Sequence, residues 1–403
     1  MLTFADAGRV LGPGLRGAAG IGLLCLAASC ASVKQGDGGA SRPTGASASA
    51  PAATAPAMPA ASRPALNAEQ RAAVERMLAA VDHVRATLVE LGGIRTQTPE
   101  FLLLTPAWQR RRLEALLLLN RDGPPRAAAL REYLAAVQRT FGIVDQRGPL
   151  DGSLTSKSVA SFAVAEAEYL AASDGVVVVA QTPEQKAAAE RMVIAGMEEV
   201  RGLEGSLAMR SHTPEALLGL LNAYRRQCDS DLLLNPAGPR RQAIVDLYLA
   251  QARKCYADVW ARRNIDATPA TLAMAEYAVA DAELLAADPG TRPAAAPEVV
   301  ARLLEAAKQA NVGLLQTQFI TSLSEERLEL RVEWMKRQLA AERLAHPLAA
   351  ERRKALDAYG AGIKELAQYV ETRIPIDSTP MKLAMMEYAL AEVDYFVAGG
   401  DGE

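Results

Sequence analysis

The chain has 403 residues, half of them apolar but only 5% aromatic, and 44 Lys and Arg against 47 Asp and Glu leave a formal charge of −3. That balance excludes the charge excess of a basic nucleic-acid binder, and the apolar fraction excludes a chain disordered throughout. Few aromatics with abundant alanine predict closely packed helices, and the length predicts two to four domains.

Residues 1–29 predict an export signal. Arg9 and Arg16 precede the apolar stretch Ala18–Ala28, which has the length of a signal core and is too short to span a bilayer. The stretch runs into Leu26-Ala27-Ala28-Ser29-Cys30. This segment resembles the lipobox of bacterial lipoproteins. The resemblance implies cleavage before Cys30, lipid on its thiol and new amino terminus, and firmer anchoring than one acyl chain provides. Ala31, not Asp, follows the cysteine, which in the usual lipoprotein sorting pattern implies the outer membrane. The body would then face the periplasm, or alternatively the cell surface. Residues 30–66 are mostly Ala, Ser, Pro, Gly and Thr and predict a disordered tether with an r.m.s. span of roughly 30 Å.

The remainder repeats. Glu69-Gln70-Arg71 aligns with Glu184-Gln185-Lys186, and Thr98-Pro99-Glu100 with Thr213-Pro214-Glu215, both at an offset of 115; Ser324-Glu325-Glu326 follows after 111 more. Tyr133, Tyr248 and Tyr359 correspond, as do Glu166 with Glu168, Asp281 with Glu283, and Glu392 with Asp394. One offset held through so many matches defines three units, at 67–175, 182–288 and 296–399.

Each unit reads as four helices. In the first, Val74, Met77, Val81, Val84, Leu88 and Leu91 make a heptad seam, as in a coiled coil, that Gly92-Gly93 ends. The second opens at Thr98-Pro99-Glu100, with a capping hydroxyl, a proline in the first turn and an acid at the positive end of the dipole. The third follows Gly123-Pro124, and the fourth starts at Ser153, Thr268 and Thr379. Val176-Val177-Val178-Val179 reads as either a short strand or an extended linker. The fold class is therefore all-α: three tandem four-helix units behind a tether. Separate bundles are the favoured arrangement, and a continuous α-solenoid sharing helices between neighbours is the alternative.

Reactive signatures do not recur. His83, His212 and His346 have no equivalents in other units, and no Glu-x-x-His or His-Glu-x-x-His pattern occurs, so no metal or cofactor is expected and no catalytic residue is assigned. Cys228 and Cys255 fall at axial levels roughly 12 Å apart, which predicts two buried free thiols and no bridge. Paired charge does recur. Second helices carry Arg110-Arg111, Arg225-Arg226 and Lys336-Arg337, with Trp108 and Trp334 beside two of these pairs. That set is the candidate contact patch for a partner. Fourth helices carry acids, of which Glu168, Glu276, Glu283, Glu387 and Asp394 are expected to form structural ion pairs with the second helices. Taken together, the sequence predicts a non-enzymatic, lipid-anchored protein-binding scaffold with unknown envelope partners and no nucleic acid. The alternative is a carrier holding a ligand or cofactor in its bundle cores.

Overall fold

A computed structural model of the chain describes residues 65–92, 99–151, 154–209, 213–287, 296–318, 323–346, 348–373 and 378–400. Cys30, the tether up to residue 64, Ser153 and His212 lie outside the described residues. The protein is all-α. Its helices in chain order are α1 (Ala68–Gly92), α2 (Pro99–Leu119), α3 (Gly123–Asp151), α4 (Leu154–Ala172), α5 (Pro183–Met209), α6 (Pro214–Leu234), α7 (Gly238–Ala261), α8 (Pro269–Ala286), α9 (Pro297–Gln318), α10 (Glu325–Ala345), α11 (Ala349–Thr372) and α12 (Pro380–Tyr395), which runs into a π-helical turn at Phe396–Gly400.

Local chemistry sets the helix starts. Thr213, Thr268, Ser324 and Thr379 each accept a hydrogen bond from the backbone N–H three residues on, and proline occupies the first turn after all but Ser324. Reciprocal caps open two of the first helices: Asn67 with Gln70, and Thr182 with Gln185. The far ends of two fourth helices are closed by arginines from third helices. Arg126 donates to the Asp174 carbonyl and Arg241 to that of Leu285, where the exposed carbonyls favour a cation. Val176–Val179 forms no strand. It is a linker without regular secondary structure, in which the Ala180 N–H donates to the Leu233 carbonyl and the Tyr169 hydroxyl to that of Val178.

Neighbouring helices pack in sequence, but the four-helix groups are not the ones the repeats suggest. Each first helix packs on the fourth helix of the preceding unit, α5 on α4 and α9 on α8. The same contact recurs between α1 and α12, so the first helix of the chain completes the last unit and the array closes into a ring. The expectation of separate bundles, each closing on its own four helices, is corrected: helices are shared between neighbours, and the solenoid they make is closed. Apolar seams explain why. The α1 seam (Val74, Met77, Val81, Val84, Leu88) is buried in one core with Met381, Met385, Tyr388 and Ala389 of α12. Alanines and glycines allow the close approach: a Cβ added at Gly313 of α9 would lie 2.7 Å from the Ala270 backbone nitrogen of α8. Inside the ring, α2, α6 and α10 touch one another.

Candidate functional site

The basic pairs of the second helices occupy this interior, and each pair divides its work. The first member reaches an acid on the fourth helix of its own unit. Arg110 pairs with Glu166 at 3.3 Å, Arg225 with Asp281 at 2.6 Å, and Lys336 with Glu392. The third-helix tyrosine joins each time: Tyr133 donates to Glu166 (2.9 Å), Tyr248 to Asp281 (2.8 Å) and Tyr359 to Glu392 (3.4 Å). Burial pushes all three phenols well up, and the adjoining carboxylate adds to it. Burial alone would lower the arginines, but Glu166 and Glu114 hold Arg110, and Asp229 and Asp281 hold Arg225, above their ordinary values. An arginine occurs where a second acid follows at i+4 (Glu114, Asp229); lysine occurs where that position is Ala340. The guanidinium fork serves two carboxylates at once, which an ammonium does less well.

The second member turns to the preceding unit. Arg111 lies 5.5 Å from the Tyr388 ring, Arg226 5.6 Å from Phe162 and Arg337 5.4 Å from Tyr277, three equivalent rings on three fourth helices. Trp108 and Trp334 pack edge-on against Tyr388 and Tyr277, with centroids 5.3 and 5.2 Å apart. Further bonds cross between second helices: Arg111 to Glu329, Arg337 to Asn222, and Arg327 to Glu215.

The residues of the candidate partner patch are therefore placed largely inside the ring. None of Trp108, Arg110, Arg111, Arg225, Arg226, Trp334, Lys336 and Arg337 is an exposed residue, and both tryptophans are at most 1% exposed. Their contacts are made within the ring, and Arg226, with a side chain 29% exposed, is the most accessible of the charged ones. The acids expected to pair with second helices also do something different. Glu168 binds Arg191 at 2.6 Å, Glu283 binds Arg302 at 3.1 Å and Asp394 binds Arg76 at 2.9 Å. All three arginines belong to the first helix of the following unit and are equivalent in the repeat. The third pair bridges α12 to α1 at the ring's closure. Glu283 also takes Arg253 of α7 at 3.0 Å. Glu276 is half-buried and its carboxyl raised by burial, against Arg302. Glu387 is exposed.

Cys228 and Cys255 are both free and buried. Burial pushes the Cys255 thiol up to about 12 and the Cys228 thiol higher, so both are poor nucleophiles. Among the described residues no group of three His, Cys, Asp or Glu could hold a metal ion. No described helix is long and apolar enough to cross a membrane.

One surface cluster was not singled out from the sequence. Tyr256 and Trp260 stack near the end of α7 with centroids 6.2 Å apart, Arg263 covers Trp260 at 4.7 Å, and Ile265 beyond them is 78% exposed. The equivalents of Trp260 are Asp145 and Glu371, so the repeat offers no signal for it. No protein-family model, curated protein or solved structure matches the chain.

Proposed function

We propose that the protein is a lipid-anchored scaffold, held on the outer membrane by lipid on Cys30, whose ring binds another envelope protein without catalysing a reaction. The observation that carries this reading is the exposed Trp260, Arg263 and Ile265, backed by the partly buried Tyr256, on a ring whose recurring charges are otherwise spent on its own assembly. Trp, Tyr and Arg are the residue types that dominate binding energy at protein interfaces, and a corner that breaks the threefold pattern confines contact to one place. The test is a crosslinked pull-down from intact envelopes with a photoreactive residue at position 260. A discrete partner, lost on Ile265→Asp and retained on Val89→Asp, supports the scaffold. No partner, or the same proteins from both variants, contradicts it. Replacing Cys30 with Ala should release the protein from membranes, and continued membrane binding would overturn the anchor.

A further inference from the structure

The third unit departs from the other two at one corner, and the chain enters the ring there. Ala65 is the first described residue. Leu66 packs against the core that α1 shares with α12, and the Asn67 amide donates to the Ala398 carbonyl at 2.9 Å. Arg343, near the end of α10, lies 5.3 Å from the Phe396 ring. Arg353, near the start of α11, donates to the Val397 carbonyl at 3.3 Å. The starts of α1 and α11 and the ends of α10 and α12 therefore meet at the point where residue 64 joins the body.

Repeat positions that are small or acidic elsewhere change at this corner. The residue before the third helix is Asp122 in the first unit, Ala237 in the second and Leu348 in the third. Leucine is among the poorest helix caps, having no atom to accept an N–H, and Leu348 makes no capping bond. It is also 64% exposed, so it serves neither the helix nor the core. Val397 is a second exposed apolar side chain, at 37%. Arg126-Ala127-Ala128 and Arg241-Gln242-Ala243 become Arg352-Arg353-Lys354. Arg126 and Arg241 are buried and spent on closing a fourth helix. Arg353 makes the corresponding bond in the third unit, and Arg352 and Lys354 are exposed, with no ion pair among the described residues. Acids lie at this end too: Glu69 and Glu298 in the first turns of α1 and α9, and Glu351, 3.6 Å from His346. The corner is thus mixed in charge, and its two exposed cations are local contacts, not a field.

We infer that this corner rests on the phospholipid interface of the membrane that holds Cys30, with Leu348 entering the acyl boundary and Arg352 and Lys354 against lipid phosphates. A protruding aliphatic group beside long cations is what such contact requires: the apolar group enters, and the charged ends stay at headgroup level. Attachment selects the lipid as the occupant. Cys30 and Ala65 are 35 positions apart, at most about 125 Å at full extension, so lipid on Cys30 holds this corner near the bilayer ahead of the rest of the ring. The contact is then intramolecular and needs little affinity of its own. It does not replace the anchor, and Cys30→Ala still releases the chain. The inference rests on the lipid-anchor reading and is independent of the Trp260 cluster. Trp260 lies 19 residues along α7 from Arg241, the counterpart of Arg352, or roughly 28 Å towards the other end of the ring. A ring docked in this way offers the Trp260 cluster away from the lipid.

The test uses the full chain, purified from bacterial membranes and reconstituted into phosphatidylethanolamine–phosphatidylglycerol vesicles, with a fluorescent coumarin amino acid at position 348, 397 or 265. Doxyl groups on the lipid chains quench only a fluorophore that reaches them. Quenching at 348 and 397, and none at 265, is expected. Arg352→Gln combined with Lys354→Gln should shift the contact equilibrium read at 348 about 30-fold towards the undocked ring, roughly fivefold per cation near an anionic surface. Leu348→Asp installs the first unit's residue and caps α11, so it should abolish quenching at 397 with circular dichroism unchanged. No quenching at 348 in chains that float with the vesicles, or equal quenching at 265, would overturn the contact. Failure of the anchor reads separately, as the mass of an unlipidated Cys30; a maleimide phospholipid on that thiol then re-creates the attachment, and the same comparison of 348 with 265 decides the corner.

Discussion

Asp281 is 3% exposed and bonded to both Arg225 and Tyr248, whereas Asp394 is 49% exposed and bonded to Arg76. The two acids occupy related repeat positions, two residues apart in register, but their energetic weights differ. Removing one partner of a buried pair leaves the other charge uncompensated, so Asp281→Ala should cost about 3–5 kcal/mol. Removing one partner of an exposed pair should cost about 0–1 kcal/mol for Asp394→Ala. Urea unfolding of the two variants measures both, and equal losses would contradict the assignment of roles. A pH effect follows from Glu199, which is fully buried and paired with Arg226. Burial raises its carboxyl more than Arg226 lowers it. The unfolded chain therefore gives up this proton at lower pH than the folded one, and native stability falls as pH rises from the ordinary carboxylate range through the raised value. Glu199→Gln lacks that loss, so its stability relative to wild type should improve as pH rises above about 4. A relative stability that stays constant or falls would show that Arg226 outweighs burial. At this scale the recurring charges were legible in the sequence, but their partners were not. Residues two apart on a helix point about 200° apart. Asp281 therefore reaches only its own unit while Glu283 also reaches the next one, and no sequence alignment of repeats tells the two apart.

Between elements the sharpest constraint is the crossing of α9 on α8. An alanine at Gly313 would place its Cβ 2.7–2.9 Å from the Ala270 backbone, which no rotamer can relieve. Gly313→Ala improves helix propensity yet should destabilise by about 1–3 kcal/mol through overpacking. The first unit carries Thr87 at this register, opposite α12, so Thr87→Ala should stay within about 1 kcal/mol of wild type. Thermal unfolding of both variants checks the contrast. Helices themselves were readable, because caps such as Thr268 and seams such as Leu383, Met386, Leu390 and Val393 act locally. The pairing of helices was not. A heptad seam states that a face is buried and leaves open which neighbour buries it, and α1 could have been covered by α4 as well as by α12.

At the scale of the whole molecule, three sets of contacts each run round the ring: cation to own fourth helix, cation to the preceding aromatic ring, and first-helix arginine to the preceding acid. Closure replaces the two exposed apolar ends of an open solenoid with one more copy of an interface the chain already makes twice. A circular permutant beginning at Pro99, with α1 moved behind α12, should therefore fold with the parent's helix content and unfold cooperatively; circular dichroism would show this. The most direct measurement of closure uses Arg76 and Asp394, whose side chains meet across α1 and α12 at 2.9 Å. With both changed to cysteine, a short bismaleimide should join them within one chain, and mapping should place the link between α1 and α12. Cys228 and Cys255 are buried with raised thiols and should not compete. Rapid crosslinking at monomer mass is the expected result; no link, or links only between molecules, would contradict a closed ring.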